Sequence, residues 1–439
     1  MSADLDVDVD VGKLVEPDRV HRSIYTDPTI FQLEMERIFE HTWIYVGHDS
    51  QVPDPGDYYA TVIGRQPVIM VRHTDNKVKV LYNRCAHKGA MLVGDTCGNV
   101  QQFSCGYHGW CYDTDGSLKS IPLEKGYDGT RFDRNDPQSS MRSVARVGSY
   151  RGFVFASLSP DGPELREWLV GVDASIDNLA DRAPTGELEI TGGVLRYMHD
   201  SNWKLFVENL NDLMHPMKVH QSSSMTARTT AKKMLSKNAP VPAAIEILAP
   251  FSGGYSFFDT MGLHAFDYGH SYSGGKVSIH SAYSDIPDYV EAMESAYGPE
   301  RTQDIFSENR HNTIFYPSLT IKGAIQSIRV VRPIAVDRTL IESWTFRLKG
   351  APDALLQRSI LYCNLVNSSA NLVGPEDYEV YHRQQHGLSS QGSDWVLMHR
   401  NFGQERDLDN GERAANGTSD LAFRNQYLAW KNYMTATIS

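Results

Sequence analysis

Residues 83–116 read NRCAHKGAMLVGDTCGNVQQFSCGYHGWCYDTDG, and they decide how the rest of the chain divides. Cys85-x-His87 is followed, after seventeen residues, by Cys105-x-x-His108. Two such pairs on two loops can supply two thiolates and two imidazoles to one metal centre. A Cys2His2 zinc site is the competing reading, but zinc modules pair Cys with Cys and His with His. Here each pair mixes one ligand of each kind. Gly89, Gly106 and Gly109 stand beside the ligands and let two loop tips close on a cluster. Tyr107 and Trp110 are placed to shield it from water.

Working outward, WIYVGHDS, DYYATVIG, QPVIMVRH and VKVLYNRC alternate or run apolar between Gly, Pro, Asp and Asn. They predict short strands of an antiparallel β domain that carries the motif on hairpin loops. WCYDTDGSLKSI adds a hairpin with an Asp-Gly turn, and GFVFASLSP at 152–160 is the last strand. Before them, TIFQLEMERIFEHTW has helical spacing and predicts one amphipathic helix ending before Trp43. After residue 160, GPELREWLVGVDASIDNLADR predicts a helix, and a second long helix begins near Trp203. Residues 221–245, rich in Ser, Thr, Ala, Lys and Pro, read as a loop or lid, with Arg228, Lys232 and Lys233 on a solvated basic face. GGKVSIHSAY, NTIFYPSLTI, AIQSIRVVRPI and TLIESWTFRLKG read as strands, with Asp337-Arg338 in a hairpin turn. Helices over 352–368 and 375–388 and the amphipathic DLAFRNQYLAWKNYMT complete the chain. The expected class is α+β: an all-β cluster domain plus a second domain with an antiparallel sheet wrapped by helices. The expected boundaries are a tail and helix at 1–40 packing on the second domain, the cluster domain at 41–160, and the second domain at 161–439.

Composition narrows the partners. A chain of 439 residues exceeds one ordinary core. A net charge of −12 argues against nucleic-acid binding and against attraction to an anionic membrane. No stretch approaches the roughly 18 apolar residues of a membrane span. MSADLDVDVDVGK is acidic, unlike a secretory signal, and reads as a mobile tail, so the expected location is cytoplasmic. Five Cys are too few for a disulfide scaffold. Beyond the two in the motif, Cys97, Cys111 and Cys363 read as free packed thiols, with a Cys97–Cys111 disulfide as the alternative.

A second chemical feature lies in Glu208-Asn209-Leu210-Asn211-Asp212-Leu213-Met214-His215-Pro216-Met217-Lys218-Val219-His220. Five residues of regular helix would set His215 and His220 about 140° apart. Pro216 prevents that, because its ring and missing N–H force a kink or an end. A break there can turn both imidazoles to one cavity, with Asp212 three residues before the first. Two His with one carboxylate and open positions is the ligand set of non-haem Fe(II) oxygenases. GPEDYEVYHRQQHGL supplies Asp377 as the third ligand, with adjacent Glu376 as the alternative.

The mixed Cys-His pairs resemble the Rieske [2Fe–2S] motif, in which two Cys hold one iron and two His the other. Over nearly its whole length the chain resembles the α subunit of Rieske non-haem iron aromatic-ring-hydroxylating oxygenases. Its C-x-H-x17-C-x2-H, then E-N-x2-D-x2-H-x4-H, then a late acidic residue carry the resemblance. Lys88, Gly106 and Met214 depart from the family's frequent Arg, Pro and Tyr, and none is a ligand. The resemblance implies Cys85, His87, Cys105 and His108 as cluster ligands and His215 and His220 as ligands of a mononuclear Fe(II). It further implies Asp212 as a bridging carboxylate and Asn209 as a polar residue of the iron pocket. Residues 309–333 and the pattern Arg424, Tyr427, Trp430, Met434 resemble the benzoate-type branch.

The activity implied by the resemblance is that of a terminal oxygenase, using O2 and NAD(P)H-derived electrons to cis-dihydroxylate an aromatic carboxylic acid. An external reductase is implied too, with or without a ferredoxin, as is a head-to-tail homotrimer, with or without a β subunit. Asp212 would then bond His215 on its own chain and His108 of the partner subunit. No G-x-G-x-x-G follows a strand, so no dinucleotide site is expected on this chain. Trp110 stands where high-potential Rieske proteins place a Ser hydroxyl, which points to a low potential. A monooxygenase acting by hydroxylation or demethylation is the alternative, and a non-catalytic electron carrier a more distant one. His264, His270, His280 and His311 read as surface or core polar residues.

Overall fold

The computed structural model describes residues 10–280 and 286–437, and its first long helix starts from a capping pair. The Asp27 carboxylate accepts from the N–H groups of Thr29 and Ile30, and Pro28 takes the first helical position. The result is α1 (Pro28–Glu34), which runs into a π-helical turn at Met35–Phe39. The expected single helix is therefore two kinds of helix, ending before Trp43. The acidic tail falls, through residue 9, outside the described residues. The chain separates into a unit at Phe39–Leu165 and a unit made of 1–38 with 166–439.

The first unit is antiparallel β throughout. Its strands are β1 (Ile44–His48), β2 (Asp57–Ile63), β3 (Gln66–Arg72), β4 (Val78–Tyr82), β5 (Cys97–Asn99), β6 (Phe103–Ser104), β7 (Cys111–Tyr112), β8 (Leu118–Ser120), β9 (Arg146–Tyr150) and β10 (Phe153–Ser157). They form three sheets, ordered β4-β3-β2-β5, β8-β7-β6 and β9-β10-β1. β7 and β8 are joined by Asp113–Ser117, the Asp-Gly hairpin expected from sequence. Ile69, Val71, Leu81, Phe103, Trp110 and Tyr112 pack around Cys85 and Cys105, so both thiols end inside an apolar cluster.

In the second unit the expected helix at 162–182 is interrupted near Gly171, leaving Leu165–Trp168 and α2 (Asp173–Asp181). After β11 (Leu188–His199), α3 (Trp203–Leu210) is capped by the Asn202 side-chain oxygen and is much shorter than the sequence suggested. It ends at Asn211, five residues before Pro216. Pro216 instead opens α4 (Pro216–Val219), the position where its missing N–H costs nothing. The segment read as a loop or lid is α5 (Gln221–Leu235), followed by a short helix Ala243–Leu248. Ala, Lys and Met give that stretch enough helix propensity, and Ser223, Ser224 and Ala227 are buried.

A nine-stranded antiparallel sheet makes up most of the β structure of this unit, beside a small three-stranded sheet of Val15–Glu16, Arg19–His21 and Trp395–Leu397. It comprises β12 (Leu263–Ala265), β13 (Ser271–Gly275), β14 (Asn309–Phe315), β15 (Leu319–Lys322), β16 (Ser327–Ala335), β17 (Arg338–Leu348), β18 (Arg406–Asp407) and β19 (Arg413–Ala415), together with β11. The order is β11-β17-β16-β15-β14-β13-β12-β19-β18. GGKVSIHSAY is not one strand: β13 stops at Gly275, no strand covers residues 276–280, and 281–283 lie outside the described residues. NTIFYPSLTI is a hairpin, β14 and β15 reversing at a cis Tyr316–Pro317 bond. Helices α6 (Asp353–Val366), α7 (Val373–Leu388) and α8 (Leu421–Thr435) follow, and further helices lie at Tyr255–Met261, Pro287–Tyr297 and Pro299–Ser307. Among the described residues no helix is long and apolar enough to cross a membrane.

Glu34 joins both chain ends to α3. One carboxylate oxygen accepts from Lys204 Nζ at 2.5 Å and Trp430 Nε1 at 2.7 Å, and the other from Trp203 Nε1 at 2.9 Å. Glu34 and Lys204 are fully buried. Glu34→Ala would strand the ammonium, so it is expected to lower unfolding stability by about 3–5 kcal/mol, read from chemical denaturation.

Candidate metal centres

The first centre is built on two tight turns. Gly89 N–H bonds Cys85 O at 3.0 Å and Gly109 N–H bonds Cys105 O at 2.9 Å. Gly89 and Gly109 have φ of 76° and 71°, a conformation that favours glycine, whereas Gly106 needs no such freedom. The His87 and His108 rings stand 4.7 Å apart, and each has a buried Nδ1 with no partner among the described residues. Buried, unpartnered imidazole nitrogens beside two core thiols fit a cluster held by two Cys and two His. Burial and the neighbouring His108 lower the His87 pKa, keeping it neutral and able to ligate. Burial would raise the Cys105 thiol, but N–H donors from Tyr107 and His108 and a bond from Cys85 outweigh it, and its pKa falls.

The two shielding residues behave differently. Trp110 is 4% exposed and stacks on His87 at 4.8 Å. Tyr107 is 65% exposed and lies over His108 at 3.7 Å. One contact escaped sequence reasoning: the Tyr112 hydroxyl lies 3.2 Å from Cys85 Sγ. With a cluster bound, this hydroxyl would donate to the ligand sulfur of Cys85 despite Trp110, and such a donor raises the potential relative to none. The remaining thiols form no disulfide; Cys97 is exposed rather than packed, and Cys111 is half-buried.

The second centre depends on the turn between α3 and α4. Asp212 Oδ1 accepts from the N–H of Met214 at 2.7 Å and of His215 at 3.2 Å, so an Asx turn replaces the expected helical kink. His215 Nδ1 donates to the Asp212 carbonyl at 2.7 Å. His220 Nδ1 donates to Glu376 Oε2 at 2.9 Å. Each bond turns the other nitrogen, Nε2, inward as a lone pair. Those atoms lie 3.7 Å and 3.3 Å from Asp377 Oδ1. Ligand atoms of His215, His220 and Asp377 all fall within 4.8 Å of one another, a geometry suited to a 2-His-1-carboxylate iron site. Burial pulls the His215 pKa to about 4, so this imidazole is neutral at physiological pH.

Of the adjacent acids, Asp377 joins the group and Glu376 turns away. Ser222 and Ser223 on α5 also donate to Glu376, at 2.8 Å and 3.0 Å. Burial raises its pKa, but these bonds and His220 lower it further, so it stays ionised. Asn209 Nδ2 reaches Asp377 Oδ1 at 3.3 Å. The Asp212 side chain does not hydrogen-bond the His215 ring; its Oδ2 is 4.0 Å from Nδ1. Glu376→Gln is expected to weaken iron binding about 10–100-fold without removing a ligand atom, as measured by competition with a chelator.

Known proteins match both parts of the chain. Residues 42–135 match the Rieske [2Fe-2S] domain, and residues 167–416 match the ring hydroxylating alpha subunit (catalytic domain). The chain is 33% identical over 396 residues to toluate 1,2-dioxygenase subunit alpha of Pseudomonas putida, covering 87% of this chain and 83% of that protein. It is 30% identical over 393 residues to anthranilate 1,2-dioxygenase large subunit of Acinetobacter baylyi, covering 88% and 81%. Its fold is shared with naphthalene 1,2-dioxygenase holding indole in the active site: the TM-score is 0.79 at 23% identity, over 96% of this chain and 94% of that one.

Proposed function

Because the chain belongs to the α subunits of Rieske ring-hydroxylating dioxygenases, we propose that it cis-dihydroxylates an aromatic carboxylic acid. It is an oxidoreductase, the terminal oxygenase of an aromatic ring-hydroxylating dioxygenase, with a [2Fe–2S] cluster and a mononuclear iron. The observation that carries the proposal is the three-ligand group, in a chain whose relatives are named for toluate, 2-halobenzoate and anthranilate. When bound, the cluster supplies single electrons and the iron supplies activation of O2. Cys85, His87, Cys105 and His108 hold the cluster, and His215, His220 and Asp377 hold the iron. Asn209 orients the Asp377 carboxylate, and Glu376 orients His220. The proposed domains are 1–40, 41–160 and 161–439.

Electrons arrive from a reductase, directly or through a ferredoxin, and the working form is a head-to-tail trimer of this chain, with or without a β subunit. In such a ring Asp212 bonds His108 of the partner subunit. The half-buried His108 and the Asp212 Oδ2, set off from its own His215, support that reading. Asp212 is the catalytic carboxylate of electron transfer in this proposal. The location is the cytoplasm.

Single turnover of the reduced protein with isotopically labelled O2 and a panel of aromatic acids tests the substrate. Two labelled atoms in the product support dihydroxylation. One labelled atom turns the proposal to monooxygenation, and product from neutral arenes alone removes the carboxylate.

A further inference from the structure

The face of the large sheet opposite α2 is polar where an arene-binding wall would be apolar. A β-bulge is part of the cause. Ser273 pairs with Asn312 and Gly274 with Arg310, leaving His311 as the extra residue. Bulges re-aim a side chain. His311 accordingly stacks on His280 at 5.0 Å, while Arg310 and Thr313 keep to the other face and bond Ser175 on α2. Asn312 points the opposite way, donating to Leu210 O of α3 at 2.5 Å and accepting from Arg329 at 3.0 Å. This side of the sheet therefore faces the helix that leads into the iron ligands.

Lys322 on β15 lies in this polar surface and is 7% exposed. Its ammonium donates to the Tyr362 hydroxyl of α6 at 3.0 Å, and among the described residues no carboxylate hydrogen-bonds it. His280 stands edge-on to Tyr362 at 5.5 Å. Two nitrogens, His280 Nε2 and His311 Nδ1, are buried without a partner among the described residues. Leu213, Phe258, Met261 and Ile279 form an apolar cluster that joins the iron-bearing turn to the segment before His280. A buried cation with one neutral partner is costly, and it calls for an anion that arrives later. Burial draws the Lys322 pKa well below its usual range, Arg329 pushes the same way, and Cys363 and Asp377 act against them. Burial draws the His311 pKa well below its usual range, and Lys322, His280, Arg329 and His215 act in the same direction.

We propose that Lys322, positioned by Tyr362 and flanked by His280 and His311, is the clamp that receives the carboxylate of the aromatic substrate. The proposal rests on the aromatic-acid reading above and assigns it a residue. The apolar cluster takes the ring and the ammonium takes the anion, which fixes which edge of the ring meets the iron.

The test is calorimetric binding of benzoate, 2-naphthoate and their neutral amides to the metal-loaded protein, comparing wild type, Lys322→Met and Tyr362→Phe. Lys322→Met is expected to weaken acid binding on the order of 10²-fold and to leave amide binding unchanged. Tyr362→Phe, which removes one orienting hydroxyl, is expected to cost about tenfold. The Lys322→Met melting temperature is expected at or above wild type, because methionine replaces an unpaired buried charge with an apolar chain of similar length. Equal acid affinity in a folded Lys322→Met protein overturns the clamp, as does a wild type that binds neither acid. Tight, Lys322-dependent acid binding without any oxygenated product would uphold the clamp and overturn the aromatic-acid dioxygenase reading. Equal product from the acid in both proteins would do the reverse.

Discussion

Asp377→Ala abolishes product formation and removes the mononuclear iron, while the cluster and its visible absorption remain. Asp377 Oδ1 is the atom that both imidazole Nε2 atoms face, at 3.7 Å and 3.3 Å. Without it, two neutral nitrogens on adjoining turns are left to hold a divalent ion that prefers a third, anionic donor. Glu376 cannot replace it, because His220, Ser222 and Ser223 hold its carboxylate on the far side of the ring. Iron analysis should fall from about three atoms per chain to about two. A variant that keeps the full iron content and turns over would refute the assignment.

Asp212→Asn also has a large expected effect, and it acts in a different way. Asparagine retains the Oδ1 acceptor that holds the N–H groups of Met214 and His215, so the Asx turn and the iron ligands stay in place. The loss is confined to the charge on Oδ2, the oxygen not used by that turn. Both metals should remain, and the reductase should still reduce the cluster. Oxidation of the reduced cluster in the presence of O2 and substrate should slow on the order of 10²-fold or more, the scale of a mispositioned reacting group. Stopped-flow absorbance of the cluster measures this directly. Unchanged, substrate-coupled turnover would show that the carboxylate does not link the centres.

The metal chemistry was legible because ligand spacing is local. Cys85, His87, Cys105 and His108 lie on two turns whose shape depends on residues within four positions. His215 and His220 were legible for a reason that proved slightly misplaced. Pro216 announces a break, but the carboxylate of Asp212 and the end of α3 at Leu210 make it earlier. Adjacent Asp377 and Glu376 could not be told apart from sequence, because their directions depend on α5 packing against α7. That same packing turned a Ser- and Thr-rich stretch into helix, where composition alone read a lid. His311 and His280 looked ordinary because a β-bulge has no marker in an unaligned strand. Tyr427 and Trp430 carried the branch resemblance, and in the folded chain both serve the interior, since Trp430 donates to Glu34 and Tyr427 to Glu208.

The carboxylate of Glu34 has a consequence for the order in which the protein is made. Its acceptor site is synthesised early, and the indole of Trp430 comes 396 residues later. At about 5–20 residues per second, α1 waits roughly 20–80 s on the ribosome for that partner. Meanwhile the interposed unit Phe39–Leu165 has emerged whole, with both of its Cys-His turns. Translation thus delivers the unit Phe39–Leu165 first and leaves Glu34 without this indole until Trp430 appears. A nascent chain halted before residue 430 would hold a finished cluster fold beside an unfinished catalytic one.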